Sequence, residues 1–277
     1  MENLTGGTPP VRPLPCVVPC KLYFASLQKT DPEFFERFCH FAFHEVLYQS
    51  DLDVHSRLMA ILATLLGSQS LDAFRDYLPV ARKFGVTPVE IKEIVYQAVA
   101  YLGMGRVYPF LCVVNERLIV DDTPLPLENL STTTWQTRLE AGNQAQVDIF
   151  GEDMRGFQNR GPEESRHINR WLAENCFGDY YTRKGLDYKQ REMITFCFLL
   201  AQGGCESQLV SHAVANLRIG NDKRFLIKVV SQCLPYIGYP RSLNAIRCIY
   251  EAADKVEEKD FKKDASLPSE ESFSKST

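Results

Sequence analysis

The chain lacks the long uncharged run that a bilayer-spanning helix requires. Its longest such run, Leu58 to Leu71, is fourteen residues, against the roughly 20 a membrane helix needs. It lacks a basic excess: 31 Lys and Arg stand against 35 Asp and Glu, a net charge of −4, the opposite of a general nucleic-acid binder. No apolar segment follows the first methionine, where MENLTGGTPPVRPLP is polar and proline-bearing, so no secretory leader is expected. No segment alternates with a period of two, so strands are not expected. These absences point to a cytoplasmic protein without membrane or nucleic-acid partners.

CxxC pairs are also absent. The nine cysteines are odd in number, and several fall inside apolar helical stretches. They are expected to be reduced thiols packed as small hydrophobes, not a disulfide framework. Cys16 and Cys20 are close in sequence, but no second pair or suitably placed histidine completes a zinc site. His40 and His44 stand four apart beside Glu45, yet without HExxH order and among Phe38, Phe41 and Phe43. That stripe reads as core or oligomer interface, and neither a metal nor any cofactor is expected.

What remains is 277 residues of ordinary globular composition, 45% hydrophobic and 24% charged, enough for one or two domains. Residues 1–20 hold five prolines and two glycines and read as an irregular arm. Asp31-Pro32 has the form of an N-cap followed by proline at the first helical position, ahead of EFFERFCHFAFHEVLY. Helical periodicity then covers 54–66, 70–84, 88–101 and 104–119. Thr87-Pro88-Val89-Glu90 is a capping box, and Gly85 ends the helix before it at a position that favours positive φ. A polar linker, 120–134, separates these from helical patterns at 135–150, 162–176, 187–202, 205–219, 222–236 and 240–257. From Glu258 the sequence turns to Lys, Asp, Glu and Ser and is expected to stay disordered. The expectation is an all-α protein.

The second half repeats the first. Shifted by 134, Leu52, Asp53, Arg57, Met59, Leu65 and Leu66 fall on Leu186, Asp187, Arg191, Met193, Leu199 and Leu200. Shifted by 135, Gly85, Gln97, Tyr101, Gly103 and Arg106 fall on Gly220, Gln232, Tyr236, Gly238 and Arg241, so one residue is inserted near Gln202–Gly204. The shared string Q-x3-Y-x-G-x2-R is too specific for helical patterning alone. It implies a tandem duplication, a first copy over 21–119 and a second over 135–257.

In the second copy, Arg191-Glu192-Met193, Gln208-Leu209-x-x-His212, Gly220 and Pro235-Tyr236-Ile237-Gly238-Tyr239-Pro240 resemble the carboxymuconolactone decarboxylase family, which shares its fold with alkylhydroperoxidase D. Thr137 to Asp153 resembles the segment preceding that domain. Gly85 to Glu93 and Tyr101-Leu102-Gly103 carry a weaker match in the first copy. The resemblance implies an alkylhydroperoxidase D-like helical fold and homo-oligomers, here a trimer of two-copy chains. It implies one of two chemistries: a cofactor-free lyase acting on a carboxylated unsaturated lactone, or a hydroperoxide reductase using CxxCxxxH and an upstream glutamate. Here that frame reads Cys205, Gln208 and His212, so the second thiol is missing. In the first copy it reads Ser70, Ala73 and Tyr77, and Leu58 stands where the second copy has Glu192. The first copy has either lost the chemistry or lends walls to the second copy's pocket.

The candidate catalytic residues are Glu192, His212 and Cys205, with Gln208, Tyr236, Tyr239 and Arg241 as substrate-binding candidates. Gln208 and His212 share one helical face with Cys205 a turn earlier. Glu192, on the preceding helix, would reach that face in an antiparallel hairpin. A carboxylate beside an imidazole orients it for proton transfer. Cys205, after Gly203-Gly204, is placed in a first helical turn, where the helix dipole lowers a thiol pKa. Arg241 could pair with a substrate carboxylate or, since Arg106 repeats it, serve as an interhelix salt bridge. Three readings stay open: a lyase with an acid–base pocket, a peroxidase using Cys205 alone, and a non-catalytic oligomeric scaffold that binds a small molecule.

Overall fold

Aspartate begins the central helix of each copy. Asp53 accepts from the Ser56 amide (2.8 Å), and its repeat-mate Asp187 accepts from the Gln190 amide (2.8 Å) while Gln190 returns a bond to the Asp187 amide. Capping of this kind satisfies helix amides that have no partner inside the helix. A computed structural model describes residues 27–264, with side chains through 258. The arm expected over 1–20 and the end of the tail from residue 265 lie outside the described residues. Among the described residues all regular structure is helical, and no helix is long and apolar enough to cross a membrane.

The chain divides into two compact units, 1–49 and 50–277. The first holds α1 (Leu27–Thr30) and α2 (Pro32–His40), which continues through a π-helical turn, Phe41–Glu45, to Val46–Tyr48. Asp31 does precede α2 with Pro32 at its first position, but its side chain makes no capping bond. It accepts instead from Thr30 Oγ1 at 2.6 Å. His40 Nδ1 meets the Glu45 carboxylate at 3.0 Å, and the His40 and His44 rings stack at 4.9 Å. Cys39 is disulfide-bonded, which corrects the expectation of reduced thiols throughout; Cys112, Cys176, Cys197, Cys205, Cys233 and Cys248 are free.

The second unit contains α3 (Val54–Gly67), α4 (Leu71–Lys83), α5 (Pro88–Leu102), α6 (Met104–Val120), α7 (Arg138–Phe150), α8 (Arg166–Trp171, continued as a π-helix over Leu172–Tyr181), α9 (Tyr188–Gln202), α10 (Glu206–Arg218) and α11 (Lys223–Asp264). The helix order α3–α6 recurs as α9, α10 and the two halves of α11. The halves are broken at Gly238, φ 76°, and its repeat-mate Gly103, φ 81°, separates α5 from α6. Only glycine takes that backbone conformation without strain. Gly85 and Gly220 also match, at φ 95° and 92°. The inserted residue lengthens α9 by one over α3.

The centre of the unit is the contact between α3 and α9. α3 is buried without interruption from Arg57 to Gly67 and α9 from Arg191 to Ala201, and these two ranges are repeat-mates residue for residue. Gly67 itself lies against Ala201: a Cβ on Gly67 would come within 2.9 Å of Ala201 Cβ and 2.7 Å of Phe198 O. Repeat-mates that meet each other are what a two-fold arrangement of two copies requires. α11 runs to Asp264, past Glu258, where the tail was expected to begin. The linker is irregular from 121 to 134 but pinned: Lys184 N donates to Leu130 O (3.1 Å), and the Thr132 and Thr133 hydroxyls donate to Thr182 O and Gly178 O.

Candidate active site

Glu192 is the fifth residue of α9 and His212 lies in the middle of α10. The two helices form the hairpin expected from the sequence. Glu192 is fully buried, and its Oε2 meets His212 Nδ1 at 2.7 Å. Its Oε1 accepts from the Tyr181 hydroxyl at 2.8 Å. Asn216 fixes the backbone beneath both, donating to Glu192 O and His212 O.

A polar network backs this pair. Tyr181 Oη also meets Thr195 Oγ1 (2.7 Å) and Tyr101 Oη (2.8 Å). Gln97 Nε2 donates to Thr195 Oγ1 (2.8 Å), and Cys176 Sγ donates to Tyr101 Oη (3.6 Å). Burial pushes the Tyr101 and Tyr181 hydroxyls well above the usual phenol range, with the Glu192 charge adding to it. Burial likewise pushes the Cys176 thiol up to about 12. These groups are therefore donors. Tyr181 spends its one proton on Glu192, so Tyr101 and Thr195 must donate to the Tyr181 oxygen. The protons all point toward the carboxylate, which is thereby held as an acceptor. His212 then donates through Nδ1–H, which leaves Nε2 as the ring nitrogen not engaged by the carboxylate. Nε2 has no hydrogen-bond partner among the described residues. The rings of Tyr101 and Phe150 pack edge-on against the imidazole at 5.5 and 5.3 Å, and His212 keeps 8% of its surface exposed.

Helices outside the hairpin bring these groups in. α7 and α8 pack so closely that a Cβ on Gly142 would overlap Ala173 O, and one on Gly178 would overlap Arg138 O. Arg138 pairs with Asp179 at 2.8 Å. Against α7, Tyr181, Cys176 and Phe177 join Ala145, Ile149 and Ala215 in one apolar cluster. Tyr101 and Gln97 come from α5, in the first copy. Arg191, next to Glu192 and fully buried, donates to Gln97 Oε1 (2.8 Å), Glu93 Oε2 (3.0 Å) and Arg183 O (2.7 Å), tying the two copies together.

The remaining sequence candidates are elsewhere. Cys205 is the N-cap residue of α10 and lines an open cleft of about 660 Å³ with Arg241, Asn244 and Arg247; His212 is not among its walls. Burial raises the Cys205 thiol, against a lowering by the Gln202 hydrogen bond and with a smaller raising by the Glu206 charge. That corrects the expectation of a thiol lowered by the helix dipole: desolvation outweighs the dipole here. Arg241 donates to Ala201 O at the end of α9, a bond to the backbone and neither the substrate contact nor the salt bridge expected of it. Gln208 is exposed and accepts from Ser207 Oγ (2.8 Å), and Tyr239 is exposed. Tyr236 is not beside His212. Its hydroxyl bonds that of Tyr77, with the rings edge-on at 5.6 Å, and burial raises its pKa.

That displacement follows from the two-fold arrangement. Tyr101 and Tyr236 are repeat-mates, as are Tyr77 and His212, and each tyrosine crosses to the other copy's hairpin. The sequence reading missed Tyr101, Tyr181, Thr195 and Phe150. The repeat pairing of Tyr101 with Tyr236 was the signal that bore on the first.

An all-α unit of two copies, one keeping a buried carboxylate–imidazole pair, defines the class. Residues 32–112 and 167–251 each match the model of the carboxymuconolactone decarboxylase family; together they are more than half of the chain, and the protein belongs to that family. It is similar to a crystal structure of a chain described as a candidate gamma-carboxymuconolactone decarboxylase subunit from Burkholderia xenovorans LB400, at 19% identity and a TM-score of 0.48, over 84% of this chain and 90% of that one. No curated protein matches it.

Proposed function

We propose that the protein is a cofactor-free, lyase-type enzyme whose acid–base pair is Glu192 and His212, acting on a small carboxylated, unsaturated or lactone substrate. The observation that carries this reading is the 2.7 Å bond from a fully buried Glu192 to His212 Nδ1. It leaves Nε2 as the nitrogen that exchanges protons. When a carboxylate leaves as CO2, the carbon–carbon bond breaks and its electron pair stays on the substrate, spread over the unsaturated system. Imidazolium Nε2–H supplies the proton that quenches it, and the imidazole then recovers a proton from solvent. Tyr181, itself held by Tyr101, keeps Glu192 in place during that exchange. The alternative, a peroxidase acting through Cys205, has less support: its thiol is raised by burial, and Gln208 stands where the second thiol would be.

We also propose that the chain self-associates as a trimer. Exposed apolar side chains recur at matching places in the two copies, Met104 and Tyr108 in one, Tyr239 and Leu243 in the other, as six like units in a ring would need. Light scattering should give about three times the 31.6 kDa chain mass; a monomer at micromolar concentration contradicts it. The catalytic reading is tested by CO2 release from a panel of carboxylated unsaturated lactones. Wild type should turn one over, and His212→Asn should lower the rate by about 10²–10⁴.

A further inference from the structure

A second cleft, of about 480 Å³, opens between α5, α6 and the 125–130 segment. Ligand sites commonly have this size, an apolar lining and a few convergent polar groups. The lining is apolar on one side, with Val89, Ile119, Leu125 and Leu127, and cationic on the other, with Lys92 and Arg183. Lys92 is only 7% exposed. Its ammonium donates to one neutral acceptor, Asn115 Oδ1, and no carboxylate is within ion-pair distance of it among the described residues. Burial lowers its pKa, as expected for a buried cation without a counter-charge.

The neighbouring carboxylate is already committed. Glu93 accepts from Arg183 Nε at 2.9 and 3.2 Å and from Arg191 at 3.0 Å. Lys92 and Arg183 on the wall, with Arg191 buried behind Glu93, stand against Glu93 and the exposed Glu128, a local surplus of one positive charge. The Tyr96 ring lies 5.8 Å from Lys92 Nζ and 5.2 Å from the Arg183 guanidinium, a flat surface beside both cations.

We propose that this cleft binds a small organic monocarboxylate with an apolar, flat body, the carboxylate paired with Lys92 and the body against Tyr96 and the apolar wall. One negative charge matches the surplus, and pairing compensates the buried ammonium. The site is separate from Glu192 and His212, which do not line it.

Calorimetric titration with benzoate tests this, with neutral benzamide as the control for the apolar body. Benzoate should bind wild type, more weakly at high salt, and benzamide should not. Lys92→Met removes the cation, and Asn115→Asp supplies the internal carboxylate that competes for it. Each should weaken benzoate at least tenfold. If Lys92→Met does not fold, Asn115→Asp still decides, because it leaves the ammonium in place. His212→Asn should bind benzoate as wild type does, which separates this site from the proposed catalytic one. Failure of benzoate to bind at all, binding unchanged by Asn115→Asp, or binding lost in His212→Asn would each overturn the proposal.

Discussion

The interiors of the two copies differ although their frames match. In the second, Glu192 and His212 face each other across a helical hairpin at 2.7 Å. In the first, the same two places hold Leu58 and Tyr77, and Tyr77 bonds Tyr236. Each interior is finished by a tyrosine from the other copy, Tyr101 beside His212 and Tyr236 beside Tyr77. Duplication has kept the caps, the positive-φ glycines and the crossing of α3 with α9. It has kept the buried carboxylate–imidazole pair on one side only. Frame and buried polar pair are thus separable in this fold, and the first copy contributes to the second copy's network through Tyr101 and Gln97.

Glu192→Gln should separate the two interiors most sharply. It removes the charge that orients His212, and turnover should fall by about 10²–10⁴, whereas Leu58→Ala should leave turnover intact; steady-state rates of both variants check this. The crossing between the copies comes next. Gly67→Ala forces a Cβ against Phe198 O and Ala201, and overpacking of this kind costs about 1–3 kcal/mol. Gly105→Ala, with open space around its Cβ, should cost nothing, and urea melts of the pair compare them directly.

Tyr101→Phe tests the loan from one copy to the other. It removes one donor to Tyr181 and keeps the ring against His212, so the rate should fall by about tenfold or less, in line with about 1 kcal/mol per hydrogen bond. The last effect shows only at alkaline pH. Burial holds the Cys176 thiol protonated up to about 12, while an unfolded chain releases that proton at its ordinary value near 9. The Cys176 contribution to folding stability should therefore be level below pH 9 and fall between 9 and 12. Cys176→Ala should flatten that fall in denaturant titrations.

Much of the frame was legible because it rests on local rules. The Thr87–Glu90 capping box, closed at 2.7 and 3.2 Å, and the turn at Gly85 are written in four or five consecutive residues. The Glu192–His212 pair was legible because one hairpin holds both. Tyr181 was not, because it arrives at the end of a π-helical stretch, whose register periodicity of 3.6 does not follow. Tyr236 was placed in the wrong interior because the crossing of α3 and α9 exchanges the two tyrosines, a fact of tertiary packing. Cys205 was misjudged because the dipole of a helix terminus is a local feature, whereas the desolvation that outweighs it comes from the surrounding fold.

The central claim is that chemistry resides in the second copy's pair and not at its counterpart. The most direct test is turnover of one substrate by His212→Ala and Tyr77→Phe, measured side by side with helicity and oligomer size. The account predicts loss of turnover by about 10²–10⁴ in His212→Ala and a rate within a factor of about two of wild type in Tyr77→Phe, with both variants folded. Normal turnover by His212→Ala would contradict it and return His212 to a purely structural role between the helices.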